Sequence, residues 1–140
     1  MWFQKTFQAF LVWLHARQGP QANRYDLNSL DDWVASPLAE TLFKDEKHQL
    51  DKTLAELFGY HLLELSPFPL DDLTSGSRIN KRWKLSETNS HLSDAIVCFD
   101  KLPIMDESVD VVLLHHALDY SHHPHQVLRE ASRVLISRGH

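Results

Sequence analysis

The feature that most constrains this chain is the run Val109-Asp110-Val111-Val112-Leu113-Leu114. It is β-branched or apolar at almost every position, so neither side of the strand it forms prefers water. The strict alternation of a half-exposed strand is missing. A strand buried on both faces belongs to a parallel sheet covered by helices. Parallel neighbours cannot be joined by tight hairpins, so the rest of the chain must supply longer crossovers. The length suits one such domain: 140 residues, 43% apolar and 24% charged. That composition excludes wholesale disorder and a fibrous chain.

The elements around this strand follow from spacing. Pro124 opens a helix in which Val127, Leu128, Ala131, Val134 and Leu135 form one apolar stripe, with Arg129, Glu130 and Arg133 opposite. Ser36-Pro37 reads as an N-cap followed by proline at the first helical position. From there Leu38, Leu42, Phe43, Leu50, Leu54, Leu57 and Phe58 mark a second helix, with Gly59 expected as its C-terminal cap. Its stripe thins over the polar stretch Lys44 to Gln49. Tyr60 to Leu65 is a short apolar run bounded by Gly59 and Ser66-Pro67, the length of a buried strand. Phe68 to Ser77 reads as a loop. Ile79 to Leu85 is an ambiguous stretch of strand length, and Asp94 to Phe99 is a better strand candidate. At the start, Phe3, Phe7, Phe10, Leu11 and Leu14 line one side of an amphipathic helix ended by Gly19-Pro20. The reading is therefore an N-terminal helix and linker over 1–35 and an α/β domain over 36–140.

Several classes of function are disfavoured. The net charge is −5, against a basic nucleic-acid footprint. The single Cys98 excludes an intramolecular disulfide framework and a cysteine-based zinc site. No apolar run approaches the roughly 18 residues of a membrane span. His15-Ala16-Arg17-Gln18 makes a poor leader cleavage site, so the first helix is read as docked rather than as an export signal, and the expected compartment is the cytoplasm.

The segment Leu102-Pro-Ile-Met-Asp-Glu-Ser-Val-Asp-Val-Val-Leu-Leu-His-His-Ala-Leu-Asp-Tyr120, followed by Pro124-His-Gln-Val-Leu-Arg-Glu-Ala-Ser-Arg-Val-Leu135, carries a family pattern. It closely resembles the LPF-x-DxSFD…LEH…xLxExxRVLxPGG block of class I S-adenosylmethionine-dependent methyltransferases, nearest the type 11 group. Leu102-Pro103, Ser108, Asp110, Leu118, Leu128, Glu130 and Arg133-Val134-Leu135 match in identity and spacing. With Gly59 to Leu65 as the first strand, the resemblance extends over about residues 36–140. It implies an incomplete doubly wound, Rossmann-like α/β sheet with an N-terminal helical extension. It also implies S-adenosylmethionine as methyl donor and an acceptor that the sequence does not identify.

In an open α/β sheet, ligands sit beyond the carboxyl ends of the strands. Glu64, Ser66, Asp100 and His115 occupy those ends and are the expected cofactor contacts. The chain also departs from the family. Where the family has a glycine-rich loop after the first strand, this chain has Glu64-Leu65-Ser66-Pro67. Prolines there remove backbone donors. No acid falls within Ile79 to Leu85, the second-strand segment, which leaves Glu87 as a substitute for the ribose-binding acid. Cys98 aligns with the family's adenine-binding aspartate unless a shortened loop lets Asp100 serve. These departures keep open a second reading, a relative that retains the fold as a binding or scaffolding module without catalysis.

The remaining polar groups have plainer readings. Five histidines lie between His115 and His125, but His122, His123 and His125 flank a proline without a metal-binding pattern, and no native metal site is expected. Asp110 reads as structural, and Glu130 with Arg133 as a surface pair. The chain stops at Arg138-Gly139-His140, where the family turns into a fifth strand. Val109 to Leu114 would then be an unpaired apolar edge, covered by a partner or by a missing C-terminal segment.

Overall fold

The computed structural model describes residues 32–67 and 70–140. The helix expected over the first 14 residues, and most of the 1–35 segment, lie outside them. The chain divides after Glu40 into two compact units, and the second, Thr41–His140, holds the sheet.

Helix α1 spans Pro37–Leu54. The Ser36 hydroxyl accepts the N–H of Ala39 at 3.2 Å, as an N-cap should. The four strands are β1 (His61–Leu65), β2 (Lys81–Ser86), β3 (Ala95–Ile96) and β4 (Val111–Leu114), and helix α2 spans Pro124–Val134. All strands are parallel, in the order β3-β2-β1-β4. The chain therefore lays β2 and β3 on one side of β1, then returns to place β4 on the other. This is the doubly wound arrangement with its switch point between β1 and β4.

Side-chain alternation divides the core. Leu62 and Val111 face α1 and pack with Leu54, Leu57 and Ile79. Leu63, Leu65 and Leu114 face the other way, against Val127, Ala131 and Val134 of α2. Leu62, Leu63 and Leu65 are essentially inaccessible. Each contributes about 1.5–3 kcal/mol of hydrophobic stabilisation. The connections between strands hold turns and loops but no helix among the described residues. On β2, Arg82 donates to the Thr74 carbonyl and Lys84 to the Leu70 carbonyl, which fastens the β1–β2 connection to the sheet.

Three expectations are corrected. Helix α1 stops at Leu54, before Gly59, so Gly59 does not cap it. Strand β3 covers two residues rather than six, because after Ile96 the chain turns away into a loop. The outer edge of β4 is also not bare. Past α2 the chain doubles back: the Ile136 N–H donates to the Val109 carbonyl, Val112 donates to His140, and His140 donates to Asp110. Residues 135–140 thus cover much of the edge that an unpartnered Val109–Leu114 would have exposed.

Candidate functional site

Leu65 and Leu114 are register partners at the ends of β1 and β4. The next residues, Ser66 and His115, therefore face each other at the switch point. The Ser66 hydroxyl lies 3.2 Å from His115 Nδ1. The other ring nitrogen of His115, Nε2, lies 3.0 Å from Glu46 Oε2 on α1. His116 reaches the same carboxylate through its Nε2, at 3.1 Å from Oε1, while its Nδ1 sits 3.1 Å from Asp119. Consecutive residues on a strand point to opposite faces. His116 escapes that rule because its backbone turns left-handed there, φ +56°. The two rings end 4.5 Å apart, nearly perpendicular, with Phe43 packed against both.

The cluster holds its charges unevenly. Burial pulls His115 toward its neutral form, against the Glu46 hydrogen bond. Burial opposes charge on His116 as well, but hydrogen bonds to Asp119 and Glu46 outweigh it and lift its pKa to about 9. Burial would raise Glu46, yet its bonds to the two imidazoles hold it down at about 2. With ionised Glu46 able only to accept, the neutral His115 ring donates from Nε2 and takes the Ser66 O–H at Nδ1.

Of the four expected contacts, Ser66 and His115 are brought together, both buried. Glu64 lies two residues before Ser66 and is 1% exposed. Neither of its oxygens has a hydrogen-bond partner among the described residues. Lys84, its register partner on β2, spends its ammonium on the Leu70 carbonyl. Burial raises Glu64 to about pKa 7, only partly offset by the Lys84 charge. Asp100 sits on the β3–β4 connection, where Gln126 Nε2 reaches its carbonyl at 3.4 Å. Glu87, one residue past β2, accepts the N–H of Phe99 at 3.0 Å, which joins the loops after β2 and β3. The Thr88 hydroxyl reaches the Pro67 carbonyl, joining the loops after β1 and β2. The loops beyond the strand ends are thus linked in sequence around one rim. An apolar hollow of about 540 Å³ lies elsewhere: Leu63, Trp83, Ile104 and Met105 line it, toward the amino ends of the strands.

Sequence reasoning missed Glu46 and His116. The signal for Glu46 was its spacing: it stands three residues after buried Phe43 and four before Leu50, on the core side of α1. An acid there needs a partner. His122, His123 and His125 are exposed, as a solvated loop requires. Asp110 is structural, its Oδ2 accepting the N–H groups of Tyr60 and His61 at 2.9 Å. Glu130 and Arg133 pair as expected but do more than decorate the surface. Arg133 donates to the carbonyls of Leu102 and Ile104, and Glu130 accepts the Leu102 N–H.

Residues 76–140 match the family model of a methyltransferase domain. The match takes in β2, β3, β4 and α2, so over this part the chain is similar to methyltransferase domains. Among curated proteins it is similar to the uncharacterised YafS of Escherichia coli (strain K12), 30% identical over 112 residues, which cover 78% of this chain and 45% of YafS. Among solved structures it is similar to a chain from the complex of the Haloferax volcanii Trm112 methyltransferase activator with its methyltransferase partner. That pair is 24% identical with a TM-score of 0.57, over 78% of this chain and 56% of the other. A SAM-dependent methyltransferase of Thermotoga maritima is 22% identical with the same TM-score, over 81% of this chain and 55% of the other. The two structures establish the fold. The chain spans about half the length of the relatives it matches. No helix among the described residues is long and apolar enough to cross a membrane.

Proposed function

We propose that this chain is part of an S-adenosylmethionine-dependent methyltransferase, with the donor held beyond the carboxyl ends of β1, β2 and β3. The observation that carries this reading is Glu64. A carboxylate buried at the end of β1, both oxygens unpartnered among the described residues, is an acceptor waiting for a donor. The ammonium of the methionine moiety is such a donor, so this residue fits the group. Glu87 and Asp100, on the joined loops after β2 and β3, are the acceptors for ribose hydroxyls and the adenine amino group. When bound, the cofactor supplies an activated methyl group. The protein's task is then to position donor and acceptor in line and to exclude water. The methyl acceptor and the compartment, expected to be the cytoplasm, belong to the same proposal.

One observation favours the second reading, a fold kept for binding without transfer. The Ser66 N–H is already bonded to the Leu85 carbonyl, and Ser66 has no exposed surface. Ser66 therefore offers no spare backbone donor for the methionine carboxylate, and the sequence after it, Pro67-Phe-Pro69, has no glycine.

Isothermal titration of S-adenosylmethionine and S-adenosylhomocysteine decides between them. It is run on this chain, on its Glu64→Gln variant, and on any longer form encoded by the same gene. Micromolar binding that Glu64→Gln weakens supports the enzyme. Absence of binding by every folded form selects the module without catalysis.

A further inference from the structure

We propose that Glu46, His115 and His116 form a binding site for a divalent transition-metal ion of the zinc class. The proposal does not rest on the methyl-transfer reading. It stands on where three donor atoms point. His115 Nε2 and His116 Nε2 converge on one carboxylate, at 3.0 and 3.1 Å, and the ligand atoms of all three residues lie within 4.8 Å of one another. Donors about 2.0–2.1 Å from a tetrahedral zinc stand somewhat over 3 Å apart. The ligand atoms of this trio, within 4.8 Å of one another, lie near that spacing. Two imidazoles and a carboxylate match the borderline-soft divalent ions and poorly suit calcium or magnesium, which take oxygen ligands.

The surroundings of the rings strengthen the assignment. A ligating histidine ordinarily donates its other N–H to a fixed acceptor, which sets its tautomer and orientation. Both rings have such a group on the far nitrogen: Ser66 Oγ at 3.2 Å for His115 and Asp119 Oδ2 at 3.1 Å for His116. With an ion bound, each ring carries its proton on Nδ1, and the Ser66 hydroxyl turns from donor to acceptor. Glu46 and Asp119 together supply the two negative charges that a divalent ion needs. The left-handed backbone at His116 serves the same end, since it breaks the alternation that would send neighbouring imidazoles to opposite faces. Glu46 and His116 keep 14% and 19% of their side-chain surface, so an ion can enter. The exposed loop histidines His122, His123 and His125 form no part of the site.

The test is zinc titration of the 140-residue protein, stripped by chelator, with competition against a chromogenic chelator. One tight equivalent is expected, retained when His122, His123 and His125 are all replaced by Asn. Glu46→Gln and His116→Asn should each weaken binding at least about tenfold, and Asp119→Asn by about tenfold or more. If the ligand variants fail to fold, X-ray absorption of the zinc-loaded wild type gives the answer instead: two imidazole nitrogens at about 2.0–2.1 Å with oxygen completing the shell. Loss of binding in the triple loop variant overturns the proposal, as does an unloaded protein at micromolar zinc. The cluster would then be a hydrogen-bonded clamp between α1 and β4.

Discussion

Gly59 and Asp110 meet back to back where the chain enters β1. A Cβ built on Gly59 would lie 2.4 Å from the Asp110 Cβ, well inside contact. The closeness is what lets Asp110 Oδ2 gather the next two N–H groups, those of Tyr60 and His61. The Asp110 N–H in turn donates to the His61 carbonyl. One acid thus fixes the lateral start of β1 against β4. Gly59→Ala must push the two strands apart and should cost about 1–3 kcal/mol. Asp110→Ala leaves two strand-entry donors without their ionised acceptor and should cost a similar amount. Urea unfolding of both variants checks this; a Gly59→Ala protein as stable as the parent would show that the strand entry yields without cost.

Arg133 ties α2 to the loop that precedes β4. Its guanidinium reaches the Leu102 and Ile104 carbonyls, Asp106 and Glu130 together. A guanidinium spreads five donors over a planar fork and can meet all four of these acceptors, whereas an ammonium carries three donors on one atom and cannot span them. Arg133→Lys should therefore lower the melting temperature, whereas Arg129→Lys, on the more exposed side of the same helix, should leave it unchanged. Proteolysis should also find a new site within residues 102–106 of the Arg133→Lys protein. Equal melting and digestion of the two variants would return Arg133 to the status of a surface charge.

The β4 edge gives a prediction about association. Ile136 donates its N–H to Val109 at 3.0 Å, and Leu135 bridges Val109. Proline at 136 removes that donor and weakens the pairing around it. Ile136→Pro should free part of the edge, and freed apolar edges pair with other chains. Sedimentation velocity should then reveal self-association that the parent protein lacks at the same concentration. A variant that sediments like the parent would mean that the bonds through His140 suffice.

The parallel sheet was legible because Val111 to Leu114, and Leu62, Leu63 and Leu65, put apolar side chains on both faces, which no half-exposed strand tolerates. Helix α2 was legible because its stripe has no polar interruption. Gly59 was misread because a glycine after a helical stripe fits a cap as well as a crowded strand entry, and only Asp110, far along the chain, separates the two. The edge cover by residues 135–140 was hidden for a similar reason: Ile136 to His140 carries no strand signature, and its bonds are backbone bonds. Ser66 and His115 could be placed at strand ends from sequence, but their contact depends on strand order. Glu46 escaped notice because an acid on a helix is ordinarily solvated, and its partners come from the far end of the sheet.

Glu64 should make the protein less stable as pH rises. Its pKa is raised from 4.5 to about 7 in the folded chain. Below pH 4.5 both folded and unfolded states hold the proton, and the group has no effect. Between 4.5 and 7 the unfolded chain releases the proton and the folded chain keeps it, so stability falls as pH rises. Above about 7 both are ionised and the loss is complete. The shift corresponds to about 3 kcal/mol. Glu64→Gln removes this titration while keeping the shape. Other groups titrate alike in both proteins, so the difference between them isolates Glu64. Urea unfolding at about pH 5 and about pH 8 should show the Gln variant gaining about 2–3 kcal/mol on the parent over that interval, since part of the loss is already complete at pH 5. A constant difference at the two pH values would mean that Glu64 finds a partner in the folded chain, and the unsatisfied acceptor that would hold the cofactor's ammonium would disappear with it.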